Sequence, residues 1–229
     1  YVWFARNRWY KEPEETLAHI EQALAYPVFV KPANLGSSVG ISKAKDREEL
    51  AFALEVANQY DRKLLVEQSI EEVQEINCAV MGNDELIPSA CEEPISWEAF
   101  LGYDDKYLRG GAGKGMKGSR RKLPADLPDE LTRHIQTLAL RAFRAIDGLG
   151  TARVDLLIDK KTGAVYVNEV NTIPGSMAFH LWQAIGLTPA QVVDNLLQLA
   201  VDAWAEKKRT VFSYPSTLLE QADLTSVQK

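Results

Sequence analysis

The chain has 229 residues, with 26 Lys plus Arg against 32 Asp plus Glu, a formal net charge of −6. Its 46% apolar and 25% charged residues are ordinary for a globular protein and exclude whole-chain disorder. The acidic balance argues against a dedicated nucleic-acid binder, and no apolar run reaches the roughly 18 residues of a membrane span. The two cysteines, Cys78 and Cys91, make neither a disulfide framework nor a zinc site, so reduced thiols in a cytoplasmic protein are expected, Cys78 within the core. The opening YVWFARNRWY has no initiating Met and no apolar signal-peptide segment. A processed product, or part of something longer, is expected.

In chain order, Glu12 to Ala25 reads as a helix, with Leu17, Ile20, Ala23 and Leu24 on one stripe. Pro27 ends it. Val28-Phe29-Val30 reads as a strand ending at Lys31-Pro32. Asn34 to Gly40 is a small polar loop, and Ile41 starts another extended piece. Asp46 is placed to cap a helix over Arg47 to Asn58. Leu64-Leu65-Val66 and Glu75 to Met81 read as strands, the second followed by the turn Gly82-Asn83-Asp84. Residues 106 to 122 hold seven basic residues, five glycines and no acid. Such a segment cannot pack, and a mobile surface loop is expected. Asp129 to Ile146 is an amphipathic helix. Ala152 to Ile158 and Ala164 to Val170 form a hairpin about the turn 160–163. Pro189 to Trp204 is the last helix, capped by Thr188. The 209–229 tail is expected to be irregular. Helices and strands mix without βαβ alternation, which predicts an α+β fold with antiparallel sheets.

Two constellations could carry chemistry. The period of two places Arg153 and Asp155 on one face of a strand, and Glu169 and Asn171 on one face of the next. Paired in a hairpin, they bring a guanidinium, two carboxylates and an amide together. Such hard oxygen ligands suit Mg²⁺, which keeps waters and bridges to phosphates, so a nucleotide is the expected co-ligand. A plain polar hairpin face would more usually carry Lys and Thr as well. The second constellation is Lys31 followed by Gly36-Ser37-Ser38-Val39-Gly40. A lysine at a strand end and the N–H groups of a small loop can hold a phosphate, although a hairpin turn uses the same residues.

Two matches are rejected. Gly113 to Gly118 fits G-x-G-x-x-G but follows no strand and opens no helix. Gly113-Lys114 is followed by Gly115, not Ser or Thr, and position 108 is leucine, so there is no Walker A motif. The basic loop reads as a lid over an anionic ligand, with a nucleic-acid contact as the alternative; aromatic residues stand only at its start. His19, His134 and His180 suggest no metal cluster.

In sequence order, VKPANLGSSVGISKA, LLVEQSIEEVQEINCAVMGN, GYDDKYL with PADL beyond it, GTARVDLLID and VYVNEVNTIPG resemble the D-alanine–D-alanine ligases of the ATP-grasp superfamily. The resemblance runs from about residue 28 to about residue 187. It implies two α+β subdomains whose antiparallel sheets hold ATP between them. The division expected is a central subdomain over 1–75, a C-terminal subdomain over 76–208 with a mobile basic loop at 103–122, and the tail.

The resemblance also implies roles. Lys31 would contact the α- and β-phosphates, and Ser37, Ser38 and Val39 would close over the γ-phosphate. Glu67, Gln68 and Ile70 would hold adenine, and Glu75 the ribose hydroxyls. Lys106 and Tyr107 belong to the loop, Lys106 near the phosphates. Asp155, Glu169 and Asn171 would bind two Mg²⁺ ions, for which Mn²⁺ can substitute. Arg153 and the Gly175 N–H would stabilise the tetrahedral intermediate. Many relatives bind the second substrate's carboxylate with a serine; here His180 stands at that count, with Ser176 nearby. The family carries an N-terminal domain, and a further ATP-contacting lysine, ahead of the matched region. The gap from Gln68 to Glu75 is one residue longer than in many relatives.

The activity implied is ATP-dependent joining of two D-alanines through an acyl phosphate, for peptidoglycan precursors of the bacterial cell wall. The partners implied are D-alanine and ATP, with neither membrane nor nucleic acid, and a homodimer in the full-length protein. The alternatives are another ATP-grasp carboxylate–amine or carboxylate–hydroxyl ligase, such as a D-alanine–D-lactate ligase, and a non-catalytic nucleotide-binding module.

Overall fold

The computed structural model describes residues 1–36, 38–95, 120–211 and 213. They form two compact units. Among the described residues the first comprises Tyr1–Gln74, residues 94–95 and 120–121, and Ile158–Val165; the second comprises Glu75–Glu93, Lys122–Leu157 and residues 166–211 and 213. Both are α+β, as the mixture of periods predicts. Among the described residues no helix is long and apolar enough to cross a membrane.

In the first unit β1 (Val2–Ala5), β2 (Val28–Pro32), β3 (Ser42–Ala44) and β4 (Lys63–Gln68) form one sheet in the order β1-β4-β2-β3. Every pairing is antiparallel, with Val2 opposite Val66, Phe4 opposite Leu64 and Val30 opposite Val66. Alternation puts Val2, Phe4, Val28, Val30, Leu64 and Val66 on one face. There they pack with Trp9 of α1 (Arg6–Lys11), Leu17 and Ile20 of α2 (Pro13–Ala23), and Leu50, Ala53, Leu54 and Ala57 of α3 (Arg47–Asn58). The same alternation turns Lys31 and Glu67 to the other face. The predicted cap is present: Asp46 accepts from Glu49 N at 2.9 Å. Strand β1 and helix α1 were not expected; Val2 and Phe4 are buried and Trp3 and Ala5 exposed, but all four are apolar, so the sequence shows no alternation.

The second unit contains most of a five-stranded sheet, ordered β7-β6-β5-β8-β9. Its strands are β5 (Val73–Gly82), β6 (Ile87–Ile95), β7 (Arg120–Lys122), β8 (Gly150–Asp159) and β9 (Val165–Asn171). On β8, buried Ala152, Val154, Leu156 and Ile158 alternate with Arg153 and Asp155. Helix α4 (Asp129–Ala145) buries Ile135, Ala139 and Phe143, and its Gln136 Nε2 donates to Ser89 O at 2.9 Å. On β5, Ala79 and Met81 pack with Leu181 and Trp182 of α5 (Phe179–Gln183) and Val192 of α6 (Pro189–Arg209). Period two puts Asn77 on that same face. Helix α6 runs one turn past the predicted Trp204, to Arg209, and the expected irregular tail lies almost wholly outside the described residues. Strand β6 and the short helix α5 were not expected. Cys78 and Cys91 are free, buried and directly opposite each other on β5 and β6.

Candidate active site

The hairpin of β8 and β9 brings the first constellation together. Arg153 donates to Asp155 through a planar fork, Nε to Oδ1 at 2.6 Å and Nη2 to Oδ2 at 2.7 Å. Asn171 Nδ2 donates to Asp155 Oδ2 at 2.9 Å and to Glu169 Oε1 at 3.0 Å. One guanidinium, two carboxylates and one amide therefore form a single network. Burial pushes the Asp155 carboxyl above its ordinary value; Arg153 and Asn171 draw it back only in part, and Glu169 adds to the rise. The hydrogen bonds to Asp155 hold Arg153 firmly charged.

Among the described residues no three His, Cys, Asp or Glu side chains gather as a metal cluster. The donor set is two carboxylates and an amide. That suits magnesium, which is usually bound through one or two protein carboxylates and completed by water and substrate phosphates.

In the first unit Lys31 Nζ stands 2.5 Å from Glu67 Oε2, across neighbouring strands. The loop beyond Lys31 turns at Ser38 (φ 60°) and Gly40 (φ 72°), with Val39 N donating to Gly36 O at 3.2 Å and Ile41 N to Ser38 O at 3.3 Å. A Cβ at Gly40 would stand 2.8 Å from the Tyr60 ring and 2.9 Å from Pro32, so both the backbone angle and the space require glycine. The Gln68 side chain is occupied by the main chain: it accepts from Ala25 N at 3.0 Å and donates to Ala25 O at 2.8 Å. Ile70 is half-buried. Ser37, Lys106 and Tyr107, with most of the basic loop, lie outside the described residues.

In the second unit Glu75 is exposed on β5, as are Gly175 and Ser176 beyond β9. The chain passes Pro174 into three successive left-handed residues, Ser176, Met177 and Ala178, with φ of 50°, 49° and 53°. Non-glycine residues held there store backbone strain, a feature that concentrates at functional sites. The turn leads into α5 and His180. Its Nε2 stands 2.8 Å from Glu92 Oε2. Glu92 is 5% exposed, and Asn77 Nδ2 donates to its Oε1 at 3.2 Å. The sequence reading missed Glu92 and Asn77. Only the cross-strand register of β5 and β6, which sets Asn77 opposite Glu92, brings them together.

Known proteins resemble this chain in sequence and in fold. A family model described as the D-ala D-ala ligase C-terminus matches residues 1–198. A D-alanine–D-alanine ligase of Heliobacterium modesticaldum is 44% identical over 213 residues, covering 91% of this chain and 56% of the relative. One from Acetivibrio thermocellus is 43% identical over 208 residues, covering 89% of this chain and 53% of the relative. The chain thus spans about half the length of the curated relatives it matches. Among solved structures, the VanG D-Ala:D-Ser ligase of Enterococcus faecalis is 34% identical with a TM-score of 0.71, covering 86% of this chain and 55% of the other. The D-alanine–D-alanine ligase of Coxiella burnetii is 28% identical with a TM-score of 0.72, covering 91% and 53%. The fold class expected from the sequence, the α+β architecture of the ATP-grasp ligases, is met. With the matched region covering both units, the chain belongs to the D-alanine–D-alanine ligase C-terminal family.

Proposed function

We propose that this chain supplies the nucleotide- and metal-binding part of a cytoplasmic ligase that joins two D-alanines at the expense of ATP, for peptidoglycan precursors. The observation that carries this reading is the Arg153–Asp155–Asn171–Glu169 network, in a chain over 40% identical to ligases of that name.

A carboxylate is a poor electrophile. One carboxylate oxygen of the first D-alanine bonds to the γ-phosphorus of ATP, the bridging P–O bond breaks, and ADP leaves. The resulting acyl phosphate accepts the amine of the second D-alanine at its carbonyl carbon. The amine loses a proton, inorganic phosphate leaves, and the peptide bond remains. The protein's part is positioning and charge neutralisation, as in other phosphoryl transfers. Lys31 is assigned to the α- and β-phosphates, Ser37, Ser38 and Val39 to the γ-phosphate. Glu67, Ile70 and the Gln68 backbone are assigned to adenine, and Glu75 to ribose. Asp155, Glu169 and Asn171 would hold Mg²⁺, which supplies neutralisation of phosphate charge. Arg153 and the Gly175 N–H serve the carbonyl oxygen as it gains charge. Lys106 and Tyr107, in the basic loop, help exclude the water that would hydrolyse the acyl phosphate. Ser176 and His180 meet the second amino acid. Residues 1–75 and 76–208 are read as the two subdomains, and the full-length protein as a homodimer; the break between compact units at Gln74/Glu75 supports the first division. The net charge of −6 speaks against a nucleic-acid partner.

The test is ADP release by the full-length protein with ATP, Mg²⁺ and D-alanine. Release that requires D-alanine and yields the dipeptide supports the reading; D-alanine-independent release, or none, contradicts it. A second acceptor is worth assaying beside it, because one similar structure is a D-Ala:D-Ser ligase.

A further inference from the structure

Glu92 is a buried carboxylate to which the proposed chemistry assigns nothing. Burying a carboxylate is costly unless it is paired and hydrogen-bonded. Glu92 has partners on both oxygens: Asn77 Nδ2 at 3.2 Å from Oε1 and His180 Nε2 at 2.8 Å from Oε2. The three residues come from β6, β5 and α5, three elements of the second unit. Asn77 is buried as well, so the carboxylate cannot swing away without leaving both partners.

The contact also orients the ring. Its Nε2 edge is turned to the Glu92 carboxylate at 2.8 Å, and a carboxylate beside one ring nitrogen is the usual device for holding an imidazole in one orientation. The edge bearing Nδ1 is then what the imidazole has left to offer a ligand. The His180 side chain remains 29% exposed, and α5 opens directly from the strained turn after Gly175.

We infer that Glu92 is a positioning residue for the second amino acid: held by Asn77, it locks the His180 ring so that its other edge meets that substrate. This rests on the ligase reading given above. It adds a residue from a different strand to acceptor binding, and predicts that Glu92 and His180 act as one unit.

The test is steady-state kinetics on the full-length protein with wild type, Glu92→Gln, His180→Gln and the double variant. Glu92→Gln keeps the shape and removes the charge. It is expected to raise KM for the second D-alanine about tenfold, the scale of one charge-assisted contact, with KM for ATP within about twofold. In the His180→Gln background the same change should add less than about twofold, as expected of coupled residues. An unchanged acceptor KM in Glu92→Gln, or full additivity in the double variant, overturns the inference. So does a parallel rise of both KM values with a fall in Tm, the mark of a merely structural carboxylate. Wild-type protein that forms no dipeptide refutes the ligase reading itself and the inference with it, whereas an active wild type with an indifferent Glu92→Gln sinks the inference alone.

Discussion

Arg153 and Asp155, two residues apart on β8, meet through two parallel hydrogen bonds of 2.6 and 2.7 Å. The planar fork occupies one side of the carboxylate, and Asn171 takes a further position on Oδ2. A lysine has the charge but not the fork. Arg153→Lys in the full-length enzyme is therefore expected to cut kcat by about 10²-fold or more, the scale of losing one transition-state donor. KM for ATP should change little. Equal kcat in the variant would remove Arg153 from the chemistry.

Gly40 closes the loop assigned to the γ-phosphate, at φ 72° with no room for a Cβ. Gly40→Ala must shift the loop, Tyr60 or Pro32. We expect a loss of about 1 kcal/mol or more of stability and weaker binding of ATP. Urea unfolding and nucleotide titration measure the two separately.

Tyr26 tests the electrostatics of the first unit. Burial, then its hydrogen bond to Glu21 at 3.0 Å, pushes the phenol up to about 12 from 10.0, and Arg47, paired with Glu21, opposes them. The native pKa lies above the unfolded one. The stabilisation is thus complete below about pH 10 and is lost as pH rises towards 12. Absorbance at alkaline pH should show one tyrosine titrating late, and Glu21→Gln should bring it earlier. An unaltered titration in that variant would show that Glu21 contributes nothing.

Thr188 caps α6 reciprocally: its hydroxyl accepts from Gln191 N at 3.3 Å, and the Gln191 side chain accepts from Thr188 N at 2.9 Å. Thr188→Ala should cost about 1 kcal/mol in urea unfolding. Loss of the cap should leave nucleotide binding unchanged.

The caps, the long helices and the hairpin of β8 and β9 were legible because their signals are local. Thr188-Pro189 marks a helix start, and Arg153-Val154-Asp155 carries a period of two. Strand β6 was not legible. Ile87–Ile95 holds two prolines and two glutamates, and reads as a loop. It becomes a strand because Glu92 finds Asn77 and His180, and because Ser89 Oγ accepts from Ala79 N at 2.8 Å. Those partners are remote in sequence, and no period connects them. His180 was singled out on resemblance, but the residue that holds it could not be. Strand β1 failed for a different reason: Val2, Trp3, Phe4 and Ala5 are all apolar, and so short a run carries no period.

Asp155 and Glu169 are the carboxylates assigned to the metal that accompanies ATP. Calorimetric titration of this chain with a non-hydrolysable ATP analogue, with and without Mg²⁺, beside Asp155→Asn/Glu169→Gln, tests that assignment. Binding should be strengthened by Mg²⁺ in the native chain and indifferent to Mg²⁺ in the variant. Binding by the variant with the same Mg²⁺ dependence would contradict it.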